Sequence, residues 1–362
     1  MFFTSFKLTK VAVSSCLLVL PMMGAAQVIT FVDMHPAGAI NSYAFATTGS
    51  QQAGYAGFGS SFHAGIWSGS ASSFVDLNPA GYSDSFALAT TGSQQVGYAN
   101  IGGSDHAGIW SGTVSSFVSL HPVGAANSYA FATTGSQQAG YASLGGSNHA
   151  GIWFGTAGSF VDLHPAGAFY SVALVTAGSQ QAGYASIGGS DHAGIWSGTA
   201  SSFVDLQPVG FIDSYAYATT GSQQIGVAGF SGGFHAGIWS GTAGSFVDLN
   251  PTGYSDSIAV ATAGGQQVGS ASLSGGGFDA GIWSGTASSF IDLGLSLGLG
   301  YKNSIAESIW TDGVTTLVAG RATDITSGKN HAILWTITPE PSSASLTLAS
   351  LAGLGIFRRR KW

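Results

Sequence analysis

Six histidines stand at one place in a recurring phrase. "HAGIWSG" runs from His63 to Gly69, and copies begin at His106, His149, His192 and His235. A variant begins at Asp279, and a decayed copy, "HAILWTI", at His331. Imidazole ligates metals and moves protons near neutral pH, so such a set asks for a chemical reading. The spacing argues against a shared metal. The first five histidines are 43 residues apart, with no local His-x-His or His-x-x-x-His pair. Zinc needs several nitrogens about 2 Å from one point. A second acidic set, Asp33, Asp76, Asp162, Asp205, Asp248 and Asp292, closes the phrase "FVDL". Calcium wants six to eight oxygens, usually clustered, and one aspartate per repeat is no cluster. There is no G-x-S-x-G elbow, H-E-x-x-H or P-loop. Glu307 and Glu340 are the only glutamates, so a glutamate-pair glycosidase site is missing, although aspartate pairs remain formally open.

The elements that would position these residues follow from the repeat. Trp67, Trp110, Trp153, Trp196 and Trp239 are 43 apart, and Trp283 and Trp335 follow after 44 and 52. An Asn/Asp-Ser pair begins at Asn41, Asp84, Asn127, Asp213, Asp256 and Asn303, with Tyr170-Ser171 in the remaining place. "GSQQ" recurs at 49, 92, 135, 178 and 221, and "GGQQ" stands at 264. The first unit offers four strand-like pieces: "SYAFAT" (42–47), "QQAGYAGF" (51–58), "HAGIW" (63–67) and "SSFVDL" (72–77). Short strands at this spacing, with turn signals between them, predict an all-β fold. Four of them in 40–45 residues match a propeller blade.

The phase of the repeat carries the closure. "FVDM" (31–34) precedes the first full unit, and the seventh unit has no such phrase after Trp335. A ring would seat Phe31–Met34 on the edge of the last blade and remove both free edges. An open solenoid gains nothing from a spare and a missing strand. The expectation is therefore a seven-bladed β-propeller of four-stranded blades over 27–338. "SYAFAT" should line the channel and "HAGIW" should be third from the axis. Each tryptophan should pack on the neighbouring blade, and the glycine of the phrase should make room for a bulky partner. Each histidine should stand at its strand's entrance and hydrogen-bond a turn of its own blade, as a His–Asp or His–Ser pair. Asp84, Asp213 and Asp256 should cap the turn before the inner strand.

The units also resemble the HAF repeats of bacterial extracellular proteins over about 29–337. The resemblance rests on "SQQAGYA", "HAGIW" and "FVDL", matching a Q-x-x-G segment, H-A-x-x-W and an aspartate-leucine. Glycine takes the phenylalanine place in units one to six and isoleucine in the seventh. The resemblance implies an extracellular propeller-like array with no assigned reaction.

Charge and the chain ends bound the setting. Only 7% of residues are charged, the formal net charge is −7, and no lysine or arginine lies between residues 11 and 301. Nothing in that stretch could neutralise phosphates, which excludes nucleic acid as a partner. Cys16 is the only cysteine, so disulfides and cysteine-ligated metals are excluded. Residues 1–26 read as a secretory signal peptide: Lys7 and Lys10, then an apolar core, then "GAA" before Gln27. At the other end, Pro339-Glu340-Pro341, a short apolar stretch and Arg358-Arg359-Arg360-Lys361 resemble the PEP-CTERM sorting signal over 339–362. That resemblance implies export by a Gram-negative bacterium and processing by an exosortase. It also implies membrane contact through the tail before processing, and often association with exopolysaccharide or biofilm.

Three functions compete. A surface or matrix-associated structural or interaction protein without catalysis, cofactor or metal leads. A multivalent carbohydrate-binding propeller is the alternative, with Phe62, Tyr82, Phe234 and Phe278 expected as exposed loop aromatics that stack on sugars. An enzyme is third. Its place would be the seventh unit, where Lys302, Glu307, Asp312, Arg321, Asp324 and Lys329 gather most of the mixed charge.

Overall fold

The computed structural model describes residues 27–274 and 276–340. The signal peptide and the sorting residues from Pro341 on, Arg358, Arg359 and Arg360 included, lie outside the described residues. Seven four-stranded antiparallel sheets make up the body. Blade 1 consists of β2 (Ser42–Thr48), β3 (Gln51–Phe58), β4 (Ser61–Trp67) and β5 (Val75–Asp76). The spare strand β1 (Gln27–Asp33) pairs with the last strand of blade 7 (Asn330–Pro339) and takes the outermost place there. The ring is closed as the phase of the repeat required.

The fourth strand is shorter than expected. In blades 1 to 6 "SSFVDL" yields only two strand residues, preceded in blade 1 by one turn of 3-10 helix over Ala71–Ser73. The cause is local competition by serine. The Ser73 hydroxyl donates to the Ser70 carbonyl at 2.6 Å and accepts the Ser68 N–H at 2.8 Å, which winds the backbone out of the ladder.

Two glycines per unit set the packing. A Cβ on Gly65 would sit inside the Phe74 ring, and the same holds for Gly108 and Phe117, Gly151 and Phe160, and Gly194 and Phe203. The phenylalanine of "FVDL" thus lies flat on the glycine of "HAGIW". The other glycine, that of "QAGY", faces the backbone of the inner strand. A Cβ on Gly54 would overlap the Tyr43 carbonyl oxygen, and each later blade repeats this. The close approach permits a bulge in every inner strand, between Ala44 and Ala46 in blade 1 and between Ala306 and Ser308 in blade 7.

The tryptophans fill the joints between blades. All seven are fully buried. Trp110 of blade 2 packs on Ala53, Ala64, Ile66 and Leu77 of blade 1. Trp67 packs on Met34, Ala319, Ala332 and Leu334, so the closing strand and blade 7 form the same joint. The small alanine faces admit the large ring, which gives each joint one anchor. Trp196→Ala should therefore cost about 3–5 kcal/mol of stability, as a cavity is left that alanines cannot collapse into. Guanidinium unfolding of the purified body measures it.

Candidate functional site

The hydrogen bonds between blades decide what the repeated polar residues do. At all seven joints a serine hydroxyl accepts the N–H of the alanine that follows the histidine in the preceding blade. Ala64 donates to Ser85 at 2.9 Å, Ala150 to Ser171 at 3.0 Å, Ala280 to Ser304 at 2.9 Å and Ala332 to Ser42 at 2.9 Å. In six joints the same hydroxyl meets a side chain that stands directly after "FVDL". It donates to Asn78 at 2.7 Å and Asn250 at 2.8 Å, and to Gln207. It meets Nδ1 of His35 at 2.8 Å, and of His121 and His164 at 2.9 Å. Each of these side chains ends on a carbonyl four residues on: His121 Nε2 on Ala125 at 3.1 Å, Gln207 on Phe211 at 2.9 Å. A carbonyl acceptor at Nε2 fixes the neutral tautomer with its proton there, and Nδ1 accepts from serine. Histidine, asparagine and glutamine are interchangeable here because each offers one acceptor and one donor at the right span. The sequence reading missed this second histidine set. Its signal was the series His, Asn, His, His, Gln, Asn, Gly at one repeat position.

The conspicuous histidines pair with the "FVDL" aspartate of their own blade, as expected. Nδ1 of His63 meets Asp76 at 2.6 Å, His149 meets Asp162 at 2.8 Å, and His192 and His235 meet Asp205 and Asp248 at 2.7 Å. His331 meets Asp33 of the closing strand at 2.8 Å. His106 faces Ser119 in the aspartate's place and has no such partner. His35, His121 and His164 stack flat on His331, His106 and His149 with centroids 4.0, 3.8 and 4.1 Å apart. Among the described residues no group of three or more His, Cys, Asp or Glu converges on a metal-sized point.

Asp84, Asp213 and Asp256 do not cap their own turn. Their carboxylates accept the N–H of Phe62, Asp191 and Phe234 in the preceding blade at 2.8, 2.9 and 3.1 Å. A one-dimensional reading favours the local partner; the ring supplies a distant one. The glutamines of "GSQQ" form a further belt. Gln95 donates to Gln51 of blade 1 at 2.9 Å and accepts the Gly112 N–H at 2.9 Å, while Thr90 donates to the same Gln51 oxygen at 2.7 Å.

What remains free lies on the axis and at one end. The inner-strand bulges push Phe45, Leu88, Phe131, Leu174, Tyr217, Val260 and Glu307 into a common cavity of about 320 Å³. The expectation that "SYAFAT" lines the channel holds; which of its residues face the axis was missed, because a bulge breaks the alternation on which strand reading rests. Glu307 pairs with Arg321 of the next strand, whose guanidinium lies 5.3 Å from the Tyr43 ring centroid. Burial raises the Glu307 carboxyl pKa, and Arg321 opposes that rise. Burial also pushes the Tyr217 hydroxyl up to about 12, so it stays a neutral donor. Of the other charged residues expected at an enzyme site, Asp312 and Asp324 bind backbone N–H groups of their own turns, which holds both carboxyls below the usual range.

The end that carries the blade-to-blade crossings is aromatic. Phe62 and Phe234 are 40% exposed and Phe278 39%. They lie at the start of third strands, not in loops. Phe62 stands edge-on to Tyr55 at 5.4 Å and near Phe86 at 5.7 Å. Tyr82 is only half-exposed and packs on Phe117 at 5.1 Å, which makes it part of the joint between blades 1 and 2. In blades 2 and 4 the phenylalanine place is taken by Asp105 and Asp191, which accept the Tyr129 hydroxyl at 2.5 Å and the Tyr215 hydroxyl at 2.9 Å.

The class defined by this geometry is an all-β, seven-bladed propeller whose repeated polar residues tie blade to blade. Residues 338–361 match the PEP-CTERM protein-sorting motif. That motif is the recognised signal for exosortase processing, and it marks exported proteins with a C-terminal membrane anchor in Gram-negative bacteria. No curated protein matches the chain. Among solved structures, a mutant puromycin hydrolase in complex with PGG is similar at a TM-score of 0.58 and 10% identity, over 80% of this chain and 53% of that one. A puromycin-hydrolyzing peptidase of Mycobacterium tuberculosis is similar at 0.53 and 13%, over 86% and 56%. The chain thus spans about half the length of these two proteins, and the likeness is one of fold.

The neutral histidines predict a pH dependence. Burial lowers the pKa of His35, His106, His121 and His164 below the ordinary 6.5. A lowered folded pKa means stability that is full above 6.5 and is lost as pH falls through the lowered values. The melting temperature should therefore drop between pH 7 and 5. His121→Asn, the side chain that blades 2 and 6 use at this joint position, should flatten that drop while preserving the pH 7 value. Calorimetry at the two pH values checks both.

Proposed function

We propose that this chain is an exported interaction protein, held at the cell surface or in the matrix, that carries out no catalysis. Its parts are a signal peptide over 1–26, the propeller over 27–338 and the sorting segment over 339–362. The observation that carries this reading is the fate of the repeated polar side chains. Serine, histidine, aspartate and glutamine spend their hydrogen bonds on neighbouring strands and blades, which is the work of a scaffold. The resemblance of the units to HAF repeats agrees with it, as does the sorting motif.

A second reading, binding of an exopolysaccharide, is favoured by the aromatic crossover end. Phe62, Phe234 and Phe278 offer ring faces of the kind sugars stack on, and weak sites on one ring gain avidity. The hydrolase fold neighbours support a third reading, with Glu307 in the channel wall and Arg321 paired to it.

The test is a glycan array and a polysaccharide hydrolysis panel on the purified body. No hydrolysis is expected; release of product from any glycan would sink the leading reading. If sugar binding occurs, Phe62→Ala and Phe234→Ala should each weaken it about 2–10-fold. Unchanged binding in both variants would remove the carbohydrate reading from this end.

A further inference from the structure

The cavity on the axis takes one side chain from each blade, and each stands at the bulge of its inner strand. All seven are half-buried, so the cavity communicates with solvent. Six of them are phenylalanine, leucine, tyrosine or valine, and the seventh is Glu307. Apolar side chains suffice to fill an axis. A carboxylate in that ring costs free energy unless its oxygens are partnered.

Only one of the two oxygens is. Arg321 donates to Oε1 of Glu307, and among the described residues Oε2 has no partner. Arg321 is not one of the lining side chains, and its guanidinium lies over the Tyr43 ring. The cavity wall thus shows a free acceptor oxygen and no cation. Around the ring Glu307 stands between Val260 of blade 6 and Phe45 of blade 1. Val260 is the smallest of the seven, which leaves room beside the acid. Tyr217 of blade 5 follows, a neutral hydroxyl with no partner among the described residues. The charge of the body points the same way. All 16 acidic residues of the chain lie within 27–340, and only Lys302, Arg321 and Lys329 oppose them there. A field of that sign gathers cations and repels anions.

We propose that the axial cavity binds a small amphiphilic amine, with its ammonium on Oε2 of Glu307 and its apolar body against Phe45, Val260 and Tyr217. An ammonium donating to a carboxylate makes a charge-assisted bond, and aromatic faces attract a cation. The apolar wall takes the hydrocarbon part, which a bare inorganic cation lacks. At about 320 Å³ the cavity lies at the lower end of the roughly 300–1,000 Å³ usual for small-molecule sites. That suits a single-ring or short-chain amine and is too small for an oligosaccharide. The site rests on neither the scaffold reading nor the sugar reading, and it lies away from the exposed aromatics that the sugar reading uses.

The experiment is calorimetric titration of the purified exported chain with phenethylamine, phenethyl alcohol, hydrocinnamate and ethylamine. Phenethylamine should bind with a Kd on the order of 0.1–1 mM, as expected of so small a ligand. Phenethyl alcohol keeps the shape without the charge and should bind about ten-fold more weakly. Hydrocinnamate lacks the cation and ethylamine the apolar body, so neither should give heat in that range. Glu307→Gln should lower the affinity for the amine to that for the alcohol. That variant strands Arg321, so Val260→Phe is titrated beside it. It leaves the ion pair intact, fills the space next to Glu307 and should abolish binding of amine and alcohol alike. No heat from phenethylamine up to about 10 mM, ten times the weakest Kd, overturns the proposal. So does equal affinity for amine and alcohol, which removes the carboxylate from recognition. Ethylamine binding as tightly as phenethylamine would mean attraction to the acidic surface alone, and unchanged affinity in Val260→Phe would put the amine outside the channel. Either result overturns it too.

Discussion

One hydrogen bond recurs at every joint and the ring depends on it: the alanine N–H of a third strand given to the serine hydroxyl of the next blade. It exists because each outer strand stops short of that N–H, ending at the aspartate of "FVDL" or, in blade 2, at Ser119. Two residues of ladder cover the glycine and isoleucine of "HAGIW", so the alanine N–H has no edge partner, and a buried N–H without one costs about 1–3 kcal/mol. The serine of the following inner strand supplies the acceptor. Blade edges are thus completed by their neighbours, and no blade is satisfied alone. That is a physical reason for closure: seven joints, seven serines, and a spare N-terminal strand that brings Asp33 to His331 at the last one.

The same geometry explains the small side chains. Alanine faces and two glycines per unit let each sheet sit close to the next, and a buried tryptophan takes up the remaining volume. Charge poverty follows from this close packing. There is little blade surface on which a long charged side chain could lie without being buried, and buried charges need partners. Glu307 meets that demand with Arg321 in the one blade that has both.

Much of the architecture could be read from spacing. The tryptophan register counted the blades, and "FVDM" against the missing eighth copy gave the closure. The glycine of "HAGIW" was read correctly as room for a bulky partner, which is the phenylalanine of "FVDL". Spacing failed wherever the partner was distant or the backbone irregular. Asp84 looks like a turn cap because the chain shows only its local neighbours, whereas its partner is Phe62 N–H across a joint. Ser73 looks like a strand residue until its hydroxyl is seen to wind the backbone. Tyr82 looks like a loop aromatic, but Phe117 comes from the next blade. That the inner strand lines the channel was legible; which seven residues do so was not, because bulges shift them out of the two-residue period.

The histidine question resolves along the same line. A residue kept for proton transfer or ligation would not be exchanged for asparagine or glutamine, since neither titrates nor coordinates as imidazole does. At the position after "FVDL" all three serve, because the joint asks only for one acceptor and one donor at a fixed span. At the other position the imidazole is a hydrogen-bond partner for aspartate in five blades, and it is lost only where Asp279 stands. Symmetry therefore separates scaffold from chemistry in this ring. A side chain that recurs in every blade is doing what every blade needs, and the informative residues are the ones that break the pattern. Those breaks, Asp279, Gly294, Glu307 and Arg321, gather in blades 6 and 7. Asp279 and Gly294 belong to blade 6, and Glu307 and Arg321 to blade 7, the blade that the N-terminal strand completes.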